Sequence, residues 1–362
     1  MSKSKWFSEL IDNTLQKIMI DKNISMDDEK FEKLVSKTVN NLIPEAAKIL
    51  LKSLKSGSGE MLDEHRLIRQ EFEARLCRRW SKPINLLEML TVMSLESAEM
   101  FVETYNEKAV ESNDLVYEVM KRVHARACQI SNEILCLLRG GFADGAFARW
   151  RTLHELAVIS FFIRKHGNRI AEQYLEFELI ENYKEMLEYQ KNCTRLNYEP
   201  FTEKEVQEIT EQKERLVQKY GDDFYKEYGW TLGALSKEKR NYKGIEENID
   251  LSHFRSYYKM ACNNIHSGPK GNNYRLGLID NYTEDKVLLC GPSNYGLADP
   301  GQNTAISLNQ ITTCLITIDP DYDMLMYLKS MEMVYNEACE EFVKAQKEIE
   351  IEEDEENKLY EE

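Results

Sequence analysis

The stretch from Asp144 to Arg164 constrains the fold more than any other part of the chain. Phe147, Trp150, Leu153, Leu156, Val158, Ile159, Phe161 and Phe162 place apolar side chains on most sides of a helix drawn through it. A helix that is apolar on most sides has to be enclosed by others, so the chain needs a multi-helix core with this segment inside it. The preceding stretch, Leu115 to Arg139, repeats apolar residues at helical spacing and stops at Gly140-Gly141. Asp144 is placed to cap the next helix. Residues 115–165 therefore predict an antiparallel helical hairpin at the centre of the molecule.

The rest of the sequence points the same way. Only 7 Pro and 16 Gly occur in 362 residues, of which 42% are hydrophobic and 30% charged. That composition suits a mostly α fold, a multi-helix bundle, and argues against a turn-dense β architecture. Near the N-terminus, Ser25-Met-Asp-Asp28 has the form of a capping box. Pro44 is expected to restart the chain into a second, basic amphipathic helix, and Ser56-Gly57-Ser58-Gly59 reads as a linker. Residues 1–57 then form an accessory helical unit, 60–347 the main helical domain and 348–362 an acidic tail. Within the main domain, Tyr274 to Ile279 and Lys286 to Cys290 predict a small β-hairpin. A final long helix is expected from Thr304 to Lys347, broken at Asp319-Pro320.

The formal net charge is -16, and half of it lies beyond Lys347, where nine acidic residues face Lys358 alone. Like charges at that density repel, so a frayed, solvated helix end is expected there, over a body only mildly acidic. The eight cysteines form no Cys-x-x-Cys pair and mostly sit in apolar contexts, as buried free thiols do, which disfavours zinc and disulfide frameworks. No apolar run reaches membrane-spanning length and no signal-peptide core opens the chain, so a cytoplasmic location is expected.

Motifs for metal and nucleotide chemistry are missing. His154-Glu155 has Val158 where a zincin places its second His, and Gly140 to Gly145 is followed by Ala146 where a phosphate loop needs Lys. No metal site and no cofactor is therefore expected. Arg151, His154 and Glu155 stand out instead, because i, i+3 and i+4 spacing puts all three on one face of the most apolar helix, with Arg149 on the far side. Charges buried there must be paired or open onto a cleft. Either they form an ion-pair network, with Glu133, Gln129 and Arg126 opposite, or they line a catalytic or ligand-binding cleft with His154 as acid/base. A second candidate is Asn263, Asn264 and His266 at a helix end, which together with Trp230 would make a ligand pocket, or else would only satisfy backbone groups. A third, Gly291 to Gly296, reads as a turn with exposed polar groups.

Gly145-Ala-Phe-Ala-Arg-Trp-Arg-Thr-Leu-His-Glu-Leu-Ala-Val158, then Tyr228-Gly-Trp230, Tyr257-Tyr-Lys-Met-Ala261, Asn264-Ile-His266 and Gly291-Pro-Ser-Asn-Tyr-Gly-Leu297 resemble, in that order, the bacterial domain-of-unknown-function family 5677 over about Gly59 to Ala345. That resemblance implies a helical protein and no particular activity. In addition, Arg149-Trp-Arg-Thr-Leu-His154 is similar to the Arg-x4–6-His motif of HEPN-superfamily ribonucleases, which are dimeric helical bundles. The similarity implies a metal-independent endoribonuclease of toxin or phage-defence type acting as a homodimer on RNA. His154 would serve the scissile phosphate, and Arg149 or Arg151, beside Glu155, would stabilise the developing charge.

The alternative is a non-enzymatic helical interaction or ligand-sensing protein. In that case a partner protein would be met through the N-terminal helices or the acidic tail.

Overall fold

The computed structural model describes residues 6–22, 29–266, 268–278 and 288–361. The described chain is helical almost throughout: α1 (Trp6–Lys22), α2 (Glu29–Ser112), α3 (Leu115–Arg139), α4 (Ala143–His166), α5 (Asn168–Asn192), α6 (Glu203–Tyr220), α7 (Tyr242–Asn248), α8 (Arg255–Asn263), α9 (Pro269–Asn273), α10 (Ala298–Ile316) and α11 (Tyr322–Glu361). Short 3-10 turns join several of them. Among the described residues there is no strand, only an isolated bridge between Leu232 and Leu235. The expected β-hairpin is therefore not seen in its described parts, and residues 279–287 at its centre lie outside the described residues, as does the Ser25 capping box.

The chain divides into two compact units, Met1–Phe72 and Glu73–Glu362. In the first, Leu15 of α1 and Thr38 and Ala46 of α2 are buried. The expected restart at Pro44 and linker at Gly57 and Gly59 are corrected by the structure, since all three residues lie within α2. Proline and glycine weaken a helix without always ending it, and long helix-forming stretches on both sides carry the helix through.

In the second unit the predicted hairpin stands at the centre. Asp114 caps α3 by accepting from the Tyr117 N–H at 3.0 Å, and the turn to α4 passes through Gly141 at φ +76°, a left-handed value that favours glycine. α10 packs against both arms and against α11. Trp150 lies fully buried and stacked on Phe147, with ring centroids 5.1 Å apart, and its indole N–H donates to Ser307 Oγ of α10 at 3.0 Å. Each such aromatic withdraws about 150–250 Å² from water, which is why this helix anchors the core.

Asp144 is not the cap of α4. That helix begins at Ala143 without a side-chain cap, and Asp144 Oδ1 instead accepts from the Leu276 N–H at 3.0 Å, tying a distant loop to the first helical turn. The Gly291 to Gly296 turn is likewise a fastener. The Ser293 N–H donates to the Gly141 carbonyl at 2.9 Å, and the Trp80 indole donates to Asn294. The acidic end of the chain is not frayed from Glu348 as expected. α11 continues to Glu361, with Glu350 accepting from Tyr295 and Glu352 pairing with Arg79 at 2.5 Å. Of the cysteines, Cys128, Cys193 and Cys314 are buried, while Cys77, Cys136 and Cys290 are exposed, fewer buried thiols than the apolar contexts suggested.

Candidate functional site

α4 presents its polar residues in three directions, and these settle what each can do. Arg149 turns towards α3 and pairs with Glu133, a half-exposed contact across the hairpin. Glu133 thus serves Arg149, not the Arg151 face it was expected to oppose, and Arg126 bonds Gln129 on its own helix at 2.9 Å. His154 turns inward. It is fully buried, stacked on Trp150 at 5.3 Å and flanked by Phe254 at 5.5 Å and Tyr258 at 6.1 Å. Its Nε2 lies 3.5 Å from Glu246 Oε1 of α7, close enough for an ion pair but not aligned as a hydrogen bond. Glu246 is fully buried and its other oxygen pairs with Arg255 of α8.

The partners of the buried α4 face thus come from α7 and α8, not from the other arm of the hairpin. Glu246, Arg255, Tyr242 and Tyr258 were missed as a site in the sequence, although Tyr258 falls in a motif that carried the family resemblance. α7 is held in place by close backbone approach. The Gly244 N–H donates to Asn241 Oδ1 at 3.0 Å, and a Cβ on Gly244 would stand 2.0 Å from the Lys239 carbonyl oxygen. Only glycine lets this short helix sit where Glu246 meets His154.

Arg151 and Glu155 open onto a cavity. The Arg151 guanidinium donates to the Tyr258 hydroxyl at 2.9 Å and lies 3.0 Å from Glu155 Oε1, while the Tyr258 hydroxyl donates to the same carboxylate at 2.7 Å. Burial works to lower the Arg151 pKa, but the Tyr258 hydrogen bond and the Glu155 charge outweigh it, and the guanidinium is held charged more firmly than usual. Tyr258 is pushed upward, first by burial and then by its bond to Glu155, and so stays a hydroxyl donor. Tyr242, stacked on Tyr258 at 4.7 Å, is pushed well above the ordinary tyrosine range by burial and by the Glu246 and Glu155 charges.

The cavity measures about 780 Å³ and lies between α3, α4, α5, α7, α8 and the Glu227–Trp230 segment. Its lining is mixed. Val119, Val123, Leu156, Ile159, Leu175 and Trp230 are apolar, while Arg151, Glu155, Tyr242 and Tyr258 cluster at a polar end. Arg122, Arg126 and Lys184 add cations, and Glu178, Glu181 and Glu227 add carboxylates. At the polar end, Arg151 Nε and the Tyr242 hydroxyl are buried atoms without a hydrogen-bond partner. Buried donors in that condition cost about 1–3 kcal/mol each, and both are sealed from the cleft itself.

Of the sequence candidates, the structure brings Arg151, Glu155 and Trp230 to this cavity. His154 lies behind its wall and Arg149 on the opposite side of α4. Asn263, Asn264 and His266 do not line it. They close the end of α8, where the Ile265 and His266 N–H groups donate to the Cys262 carbonyl at 3.1 and 3.0 Å. Among the described residues no group of three or more His, Cys, Asp or Glu is placed to hold a metal ion, and no helix is long and apolar enough to cross a membrane.

Residues 117–284, which contain the whole site, match the model of a family of unknown function, DUF5677. No curated protein and no solved structure matches the chain.

Proposed function

Residues 117–284 belong to a family without an assigned activity, and from the chemistry of the cleft we propose that the chain is a ligand-binding module for a small amphipathic molecule with an apolar, aromatic-sized body and an anionic or acceptor end. The observation that carries this reading is the array of Arg151, Tyr258 and Glu155 at one end of a cavity that Leu156, Ile159 and Trp230 also line. Cavities of a few hundred Å³ that combine an apolar lining with a few convergent polar groups are the usual form of small-molecule sites. The Glu155 carboxylate restrains Arg151 and Tyr258 in place, so the end of the cleft is preorganised before any ligand arrives.

The ribonuclease reading rests on His154 and Arg149, and it draws less support from the geometry. His154 is sealed behind Trp150, Phe254 and Tyr258, and Arg149 pairs with Glu133 on the other side of the helix. A general acid or base must come within about 3 Å of the proton it moves, and neither residue reaches a shared point accessible to RNA in this chain.

The test is a fluorescence titration with 8-anilino-1-naphthalenesulfonate, whose fused rings and sulfonate match the two ends of the cleft. The expected result is saturable binding of one molecule per chain, weakened at least tenfold by Leu156→Arg, which fills the apolar wall. Non-saturating binding, or indifference to that substitution, overturns the proposal. Metal-independent cleavage of RNA that is lost in a normally melting His154→Ala protein would replace it with the nuclease.

A further inference from the structure

α2 between Ala47 and Glu71 has no buried residue, although most helical stability in proteins comes from packing of one apolar face. The segment also contains Ser56-Gly57-Ser58-Gly59, and each glycine costs about 1 kcal/mol of helix stability relative to alanine. Flanking helix carries the chain through these glycines, and a partner packed on one face would offset their cost. The apolar residues show where. Ile43, Leu50, Leu54, Met61 and Ile68 are 46%, 46%, 42%, 47% and 56% exposed, and with Ala47 and Gly57 they follow alternating steps of four, three or seven residues, the spacing of a coiled-coil seam.

The order of side chains along that seam is self-complementary when a second copy is laid against it in the opposite direction. Ile43 then faces Ile68, Leu50 faces Met61 and Leu54 faces Gly57, and each pairing recurs with the copies exchanged, as a two-fold interface requires. Ala47 faces Glu64, where the small side chain leaves the carboxylate room to reach water. At the centre, Leu54 meets a glycine. A Cβ on Gly57 would touch nothing within 4 Å, so that side of the helix is open to receive the leucine. A parallel arrangement would instead set Leu54 on Leu54 and leave the two Gly57 positions facing each other across a void.

We propose that the Ile43–Ile68 segment of α2 is a homodimerisation surface that pairs antiparallel with the same segment of a second copy. The seam and its flanking Leu51 and Leu67, each about half exposed, would bury on the order of 600 Å² per copy and about 1,200 Å² in all, within the range of specific protein interfaces. Exposed apolar surface of this extent on a single chain is otherwise an aggregation liability. The proposal is independent of the ligand cleft, which lies in the other unit.

Light scattering coupled to size exclusion on the full chain should give twice the 42.4 kDa chain mass, and Leu50→Glu/Leu54→Glu should give the chain mass. Because that variant could also loosen the helix, a second measurement fixes the register. Under mild oxidation the Leu54→Cys/Gly57→Cys protein should cross-link to a dimer well beyond the wild-type background, and Leu54→Cys alone should not. A monomeric wild type, or a dimer unchanged by the double Glu substitution, overturns the interface. Efficient cross-linking of Leu54→Cys alone overturns the antiparallel arrangement.

Discussion

His154 Nε2 stands 3.5 Å from Glu246 Oε1, with both side chains sealed from solvent and 92 positions apart in sequence. Arg255 holds the other carboxylate oxygen, so Glu246 is the negative centre on which α4, α7 and α8 converge. Removing one member of a buried charged cluster leaves the rest uncompensated, which costs about 3–5 kcal/mol. Glu246→Ala should therefore lower unfolding free energy by that amount in urea denaturation, while Glu246→Gln, which keeps the shape, should cost less. Equal stability of wild type and Glu246→Ala would mean that the cluster does not hold these helices together.

A second buried histidine supplies a pH dependence. His124 is fully enclosed, with its Nε2 3.1 Å from Ser94 Oγ and 3.2 Å from Thr312 Oγ1, and burial pushes it down to about 4. In the unfolded chain its pKa is about 6.5, so between those values the unfolded state binds a proton that the native state refuses. Stability contributed by neutral His124 is complete above about 6.5 and lost as pH falls towards 4, by up to roughly 3 kcal/mol. Denaturation midpoints measured across that window should drop on acidification, and His124→Gln should flatten the slope.

Tyr258→Phe removes the hydroxyl that links Arg151 to Glu155 while leaving the ring stacked on Tyr242. The two charged groups remain 3.0 Å apart, so the expected loss is about 1.5–3 kcal/mol, the worth of a hydrogen bond to a charged partner. Chemical denaturation checks the stability. The same variant should also weaken anilinonaphthalene sulfonate binding, because Arg151 loses the bond that fixes its orientation.

Gly296 adopts φ +80°, and a Cβ there would lie 2.1 Å from the Leu276 carbonyl oxygen. Gly296→Ala should cost at least about 2 kcal/mol through backbone strain and collision together. The turn that fastens Trp80 should loosen with it, and the fluorescence of the protein should shift to the red.

Thiol labelling separates the cysteines by environment. Burial pushes the Cys128 thiol up to about 11 and the Cys314 thiol up to about 12, so both are protonated and shielded at neutral pH. Ellman's reagent should react quickly with Cys77, Cys136 and Cys290, and with Cys128, Cys193 and Cys314 only as the protein unfolds. Mass mapping of the labelled peptides distinguishes the two classes.

The helical hairpin was legible because its signals are local: apolar residues on most sides of one helix, helical spacing in the other, and two glycines between them. The pairing of Arg151 with Glu155 was legible for the same reason, since their i, i+4 spacing is fixed by the helix alone. Glu246 and Arg255 were not, because they lie on helices of seven and nine residues whose placement depends on tertiary packing. Asp144 shows the converse error. A residue suited to capping was taken up by a long-range bond to Leu276 that no local rule contains. Gly57 and Gly59 carry a helix-breaking preference, and the surrounding helix overrides it.

The most direct test of the ligand-binding account compares two arginines of α4 that lie two positions apart. In a titration of 8-anilino-1-naphthalenesulfonate, Arg151→Met should weaken binding at least tenfold, because it removes the charge at the polar end of the cleft. Arg149→Met, on the opposite side of the helix, should bind as wild type does. Equal affinity in all three proteins, or a loss confined to Arg149→Met, would contradict the assignment of this cavity as the binding site.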